Sequence, residues 1–93
     1  MKFSLGKTVA TPGAIEFCDT SGINIVDLLI RHAQGDWGDL DKEDKQANED
    51  AIKSGARIFS SYDFPSGKVW VITTGDDDDG LRESTCVLLP SEY

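Results

Sequence analysis

The spacing of apolar residues in this 93-residue chain changes at Gly55. Upstream, apolar side chains recur three and four residues apart, the period of a helix face. Downstream they fall in short runs of β-branched and aromatic residues separated by turn signals. Helical segments first and strands after them predict an α+β domain.

Each helical segment carries its own start and stop. Thr11 stands as an N-cap with Pro12 at the first helical position, and Gly22 ends the turn. Ala14, Ile15, Phe17 and Cys18 give that segment an apolar face. Asn24 caps the second segment, where Ile25, Leu28, Leu29 and His32 follow at helical spacing. Val26 and Ile30 widen the stripe, and Gly35 stops it. Asp41 caps the third, with Asp44 in a carboxylate variant of the capping box. Ala47, Ala51 and Ile52 form a narrow stripe there, and Gly55 closes it.

Ala56 to Tyr62, Lys68 to Thr74 and Ser84 to Leu89 read as strands, joined by hairpin loops at Asp63 to Gly67 and Gly75 to Gly80. The expected architecture is about three N-terminal helices packed on a C-terminal three-stranded antiparallel β-meander. Thr8 to Thr11 is a candidate N-terminal strand extending it. The middle run, Val69-Trp70-Val71-Ile72, is apolar on both faces. Trp70 is therefore read as core. The second face asks for a cover, either the N-terminal segment around Phe3 and Leu5 or a second copy of the chain.

This length allows a single domain, residues 1–93, with one core. The net charge of −8 is local. Residues 36–50 hold seven acids against Lys42 and Lys45, a net of −5, and Asp76 to Asp79 add −4. Such patches repel phosphate backbones, so no direct nucleic-acid binding is expected. They suit a basic protein partner. No apolar run is long enough for a signal peptide or a spanning helix, so the expectation is a cytoplasmic protein with no membrane contact. Cys18 and Cys86 match no metal or redox spacing and read as reduced core residues. No cofactor or metal is expected. The aspartate run fails the EF-hand pattern at both ends, with Gly75 and Cys86 where ligands belong, and reads as a solvated loop tip.

The candidate functional segment is Arg31-His32-Ala33-Gln34-Gly35-Asp36-Trp37-Gly38-Asp39-Leu40-Asp41, between two helices. It places the single histidine beside a tryptophan, glycines and carboxylates in a loop, where sites concentrate. His32 and Asp36, four apart, are candidates for a base and its orienting carboxylate. Trp37 is a candidate interface anchor or a core plug between helices. Arg57 and Arg82 are read as partners of the acidic patches.

Six ordered motifs run nearly end to end: Val-Ala-Thr-Pro-Gly-Ala at 9–14, Arg-His-x-x-Gly-Asp-Trp-Gly-Asp-Leu at 31–40, Asp44 with Asn48, Gly-x-Arg-Ile-x-Ser-x-Tyr at 55–62, Trp-Val-Ile-Thr at 70–73 and Thr-x-Val-Leu-Leu-Pro-x-Glu-Tyr at 85–93. In these the chain resembles a family of small uncharacterised bacterial proteins, often carried on plasmids and integrated mobile elements and labelled plasmid-related. The resemblance implies no activity. It points to Arg31, His32, Asp36, Asp39, Asn48, Arg57 and Arg82 as the shared polar set. The chain departs from the family at the second hairpin, where Thr74-Gly75 and the aspartate run replace a shorter Glu-Ala-Asp-Arg passage.

The expected function is that of a small acidic, non-catalytic binding or accessory protein. Its expected protein–protein surface spans residues 31–44 around Trp37, with Arg31, His32, Asp36, Asp39, Asp44, Asn48, Arg57 and Arg82 as the other candidate binding residues. Two alternatives stand beside it: a DNA-mimicking inhibitor of a host defence nuclease, and a small enzyme or ligand-binding domain using His32 and Asp36. A homodimer is compatible with each.

Overall fold

Three polar caps set the helices of the computed structural model, which describes residues 2–76 and 80–93. The Thr11 side chain accepts from the Ala14 N–H at 3.1 Å, Asn24 from Val26 at 2.9 Å and Asp41 from Asp44 at 2.8 Å. Helix α1 then spans Pro12–Ser21, α2 Ile25–Ala33 and α3 Lys42–Ser54. The strands are β1 Lys7–Ala10, β2 Ile58–Phe64, β3 Gly67–Thr73 and β4 Ser84–Leu88. A 3₁₀ turn, Pro90–Glu92, follows β4 and leads into Tyr93. The aspartate loop reading falls on residues 77–79, which lie outside the described residues.

The domain is α+β, but its sheet is not a three-stranded antiparallel meander. Four strands form one mixed sheet in the order β1-β4-β3-β2. β1 lies parallel to β4, with Lys7 opposite Ser84 and Ala10 opposite Val87. The candidate N-terminal strand is thus present and widens the sheet at its edge, while Phe3 before it packs on the helix side against Trp37 and His32 and does not cover the opposite face. The first hairpin is tighter than its loop residues suggest, because pairing runs on to Phe64 opposite Gly67.

Alternation decides which face is core. Ile58, Ser60 and Tyr62, Val69, Val71 and Thr73, and Thr85 and Val87 are buried on the face toward the helices. Ala14, Cys18 and Leu28 close over the centre, while Trp37 and Ala51 close over Ile58. Each large apolar side chain so buried contributes on the order of 1.5–3 kcal/mol. Along α3 the buried positions are Asn48 and Ala51, and Ala47 faces solvent.

Trp70 belongs to the opposite face and is half-buried, which corrects its reading as core. Its ring meets Phe59 and Tyr93 edge-on at 5.1 and 5.7 Å. Among the described residues no α-helix crosses this side. Cys86 shares it, half-buried, whereas Cys18 is fully core; both thiols are free. No helix among the described residues is long and apolar enough to cross a membrane.

Candidate functional site

The motif segment acts on β2, the outer strand of the sheet. An edge strand leaves alternate backbone groups without partners. Here those groups belong to Phe59, Ser61 and Asp63, and all three N–H groups and the carbonyls of Phe59 and Ser61 are met. The Asn48 amide holds Phe59 twice, accepting from its N–H at 3.1 Å and donating to its carbonyl at 2.5 Å. Ser61 donates its N–H to the Trp37 carbonyl at 3.3 Å and accepts from the Asp39 N–H at 2.7 Å. The Asp39 carboxylate accepts from the Asp63 N–H at 2.8 Å. Gly38 makes this approach feasible. It holds φ +76°, and a Cβ there would collide with the Ser61 carbonyl and the Tyr62 ring.

Arg31 and Asp36 brace the segment from its start. Arg31 Nε donates to Asp36 Oδ2 at 2.6 Å while its guanidinium lies 4.4 Å from the centre of the Tyr62 ring. That hydrogen bond holds the Asp36 carboxyl below the ordinary carboxylate range. The Tyr62 hydroxyl donates to the Asp36 carbonyl at 2.7 Å, and burial pushes its pKa up to about 12. Asp44 lies exposed in the first turn of α3, where a carboxylate favours the helix dipole.

His32 and Asp36 do not pair. His32 is 0% exposed, and both ring nitrogens are engaged elsewhere. Nδ1 lies 2.6 Å from the Ser60 hydroxyl and Nε2 lies 2.8 Å from that of Thr73. Thr73 lies 2.7 Å from Thr85, whose hydroxyl donates to the Leu5 carbonyl at 2.7 Å. A carbonyl only accepts, so the whole chain has one direction. Thr85 donates to Leu5, Thr73 to Thr85, His32 Nε2–H to Thr73, and Ser60 to the bare Nδ1. The imidazole is thus a neutral Nε2–H tautomer. Burial, with Arg82 nearby, lowers its pKa from 6.5 to about 4. A Ser–His contact of this length matches the start of a nucleophilic relay. Ser60, Thr73 and Thr85 are as fully buried as His32, so no substrate reaches the pair without opening the core.

Trp37 is 4% exposed. Its ring stacks on Phe3 at 6.0 Å and meets His32 edge-on at 5.9 Å, and its indole N–H donates to Glu49 at 2.8 Å. It is a core plug, not an accessible anchor. Arg82 is 6% exposed and also turns inward. Its guanidinium donates to the carbonyls of Ala51, Ala56 and Thr74 at 3.0, 2.7 and 3.1 Å, tying the end of α3 to two strand ends. Among the described residues these N–H groups meet carbonyls, while the Arg82 backbone bridges to Asp76 of the second acidic patch, whose residues 77–79 lie outside the described residues. Arg57 stands apart from the other candidates, on the helix-free side, donating to the Tyr93 hydroxyl at 2.6 Å.

Ser60, Thr73, Thr85, Tyr62 and Glu49 belong to this network but were not among the candidate site residues, although the first four fall within the motifs at 55–62, 70–73 and 85–93. For the four strand residues a further signal was their place in the alternation. Ser60 and Tyr62 share the inward face of one strand, and Thr73 and Thr85 continue the inward rows of the next two. Hydroxyls in an apolar row opposite the lone histidine call for a polar partner. Among the described residues, no group of three His, Cys, Asp or Glu side chains is placed to hold a metal ion. No protein-family model, no curated protein and no solved structure matches the chain.

Proposed function

We propose that the chain is a non-catalytic protein-binding module whose contact surface is the helix-free face of its sheet. The observation that carries this reading is the row Phe59–Trp70–Tyr93 beside Arg57. These residues, with Ile72, line an open pocket of about 190 Å³. Tryptophan, tyrosine and arginine are the residue types on which interface energy concentrates. The pocket suits an apolar side chain from a partner, flanked by a carboxylate that meets the guanidinium of Arg57. Trp37 and its polar neighbours, which serve the interior, support the surface from behind. The acids of α3 lie in the helix layer, where they act on a basic partner through the long-range field.

The test is affinity capture with the tagged full chain from its native cells, beside Trp70→Ala, Arg57→Glu and Ile30→Glu, each checked for folding by circular dichroism. The expected result is a partner held by wild type and Ile30→Glu and lost in folded Trp70→Ala and Arg57→Glu. Equal capture by all four proteins, or none by wild type, overturns the reading.

A further inference from the structure

The two edges of the sheet are treated in opposite ways. At β2, Trp37, Asp39 and Asn48 satisfy the outward backbone of Phe59, Ser61 and Asp63. At β1 the Lys7 N–H donates to Glu83 and the Thr11 N–H to Val87, so residues 7, 9 and 11 face β4. Thr8 and Ala10 therefore present their N–H and C=O groups to the outside, and among the described residues nothing pairs with them. An open edge strand is a template for another strand. We propose that β1 pairs with β1 of a second copy of this chain, antiparallel about a two-fold axis, to give a continuous eight-stranded sheet.

The backbone fixes the register. Residues directly opposite must share a face, and hydrogen-bonded pairs must both point outward. Placing Val9 opposite the partner's Val9 meets both conditions. Thr8 then exchanges hydrogen bonds with the partner's Ala10, and Ala10 with the partner's Thr8. A slip in one direction brings Pro12, which has no N–H, into a pairing position. A slip in the other brings Gly6, whose φ of +63° is not that of a strand.

Charge and shape agree with this register and argue for a second copy as the occupant. Lys7 comes opposite the partner's Thr11. In each copy the Thr11 hydroxyl donates to Glu92 at 2.5 Å, so the Glu92 carboxylate stands beside that position. The two-fold axis thus sets two Lys7–Glu92 pairs at the ends of the new ladder. Val9, 42% exposed, meets its own counterpart at the centre. On the helix side an apolar pocket of about 270 Å³ lies between Leu5 and helix α2, with Val26 57% and Ile30 48% exposed. A smaller one of about 130 Å³ continues it along Thr8, Ala10, Ile25 and Leu29. Strand pairing alone buries less than a stable dimer needs, roughly 800 Å² per partner. The α2 stripe adds apolar area on the same side of the same edge.

Sedimentation equilibrium of the full chain over a wide concentration range tests this, with amide exchange at Thr8 and Ala10 read by NMR. The expected result is a dimer in which those two amides become protected as concentration rises. Ala10→Pro removes an outward N–H that β4 does not use, and it leaves a monomer. Lys7→Glu raises the dissociation constant about ten-fold, and adding Glu92→Lys recovers the loss. A monomeric wild type, or a dimer whose Thr8 and Ala10 amides exchange freely, overturns the proposal. So does a dimer indifferent to Lys7→Glu, a readout that holds if Ala10→Pro fails to fold.

Discussion

The side-chain amide of Asn48 grips the peptide groups of Phe59 from both sides, as a neighbouring strand would. It stands where the next strand of the sheet would run, and it is fixed to a helix. Asn48→Ala leaves a part-buried N–H and a part-buried carbonyl without partners, each costing about 1–3 kcal/mol where water does not replace Asn48. The expected loss is about 2–4 kcal/mol by urea unfolding, with fast amide exchange at Phe59. Asn48→Asp keeps the acceptor and loses the donor, turning a carboxylate toward the Phe59 carbonyl. It is expected to be at least as damaging as alanine. A loss below about 0.5 kcal/mol for either variant shows that the grip contributes little.

The directed relay through His32 makes stability depend on pH. The folded imidazole has a pKa of about 4 against 6.5 in the open chain. Between those values the unfolded state binds a proton that the folded state refuses, so stability falls as pH is lowered. It is full above pH 6.5 and lower by about 3 kcal/mol near pH 4. Asp36 and Glu92, both held below the ordinary carboxylate range, add a loss of the same sign under more acidic conditions. Urea midpoints followed by tryptophan fluorescence across this window check the slope. His32→Gln, which cannot titrate, is expected to be less stable at neutral pH and nearly flat between pH 6.5 and about 4.5. An equal slope in both proteins removes His32 as its source.

Trp37 tests whether the motif segment serves the interior or a partner. Its burial against Phe3 and His32 predicts a loss of about 3–5 kcal/mol for Trp37→Ala. That is a large part of the total stability of a domain this size. Trp37→Phe keeps most of the ring and loses the hydrogen bond to Glu49, for an expected cost of about 1–2 kcal/mol. A thermal melt of each variant decides. Trp37→Ala melting within a few degrees of wild type contradicts the buried placement.

The helix ends were legible because capping is local: Thr11, Asn24 and Asp41 each bond within three residues. The lone His and the Gly-Asp-Trp-Gly-Asp segment stood out by residue type and Asn48 through the resemblance, but their work did not. Asn48 lies eleven residues from Phe59, and His32 lies 28 and 41 from its two partners. Pairings at that distance are set by packing, which leaves no periodic trace. β1 was anticipated as a candidate strand at Thr8 to Thr11, but its parallel pairing was hidden for the same reason, since four residues carry little pattern and their partner strand begins at Ser84. Trp70 was misplaced because an apolar run does not say which of its two faces is covered.

Gly38 and Gly22 offer a matched comparison for the close approach at β2. Both hold positive φ, +76° and +70°. A Cβ at Gly22 meets nothing within 4 Å, so Gly22→Ala carries only the cost of a left-handed alanine, about 1 kcal/mol. A Cβ at Gly38 runs into the Ser61 carbonyl and the Tyr62 ring. Relief requires Trp37–Asp39 to move off β2, which breaks the hydrogen bonds to Ser61 and weakens that to Asp63. Gly38→Ala is therefore expected to cost at least about 3 kcal/mol, roughly three times the loss at Gly22. It should also open the Ser61 and Asp63 amides to exchange, while Gly22→Ala leaves them protected. Equal losses at the two positions mean that backbone conformation alone explains both glycines and that the motif segment does not sit tightly on β2.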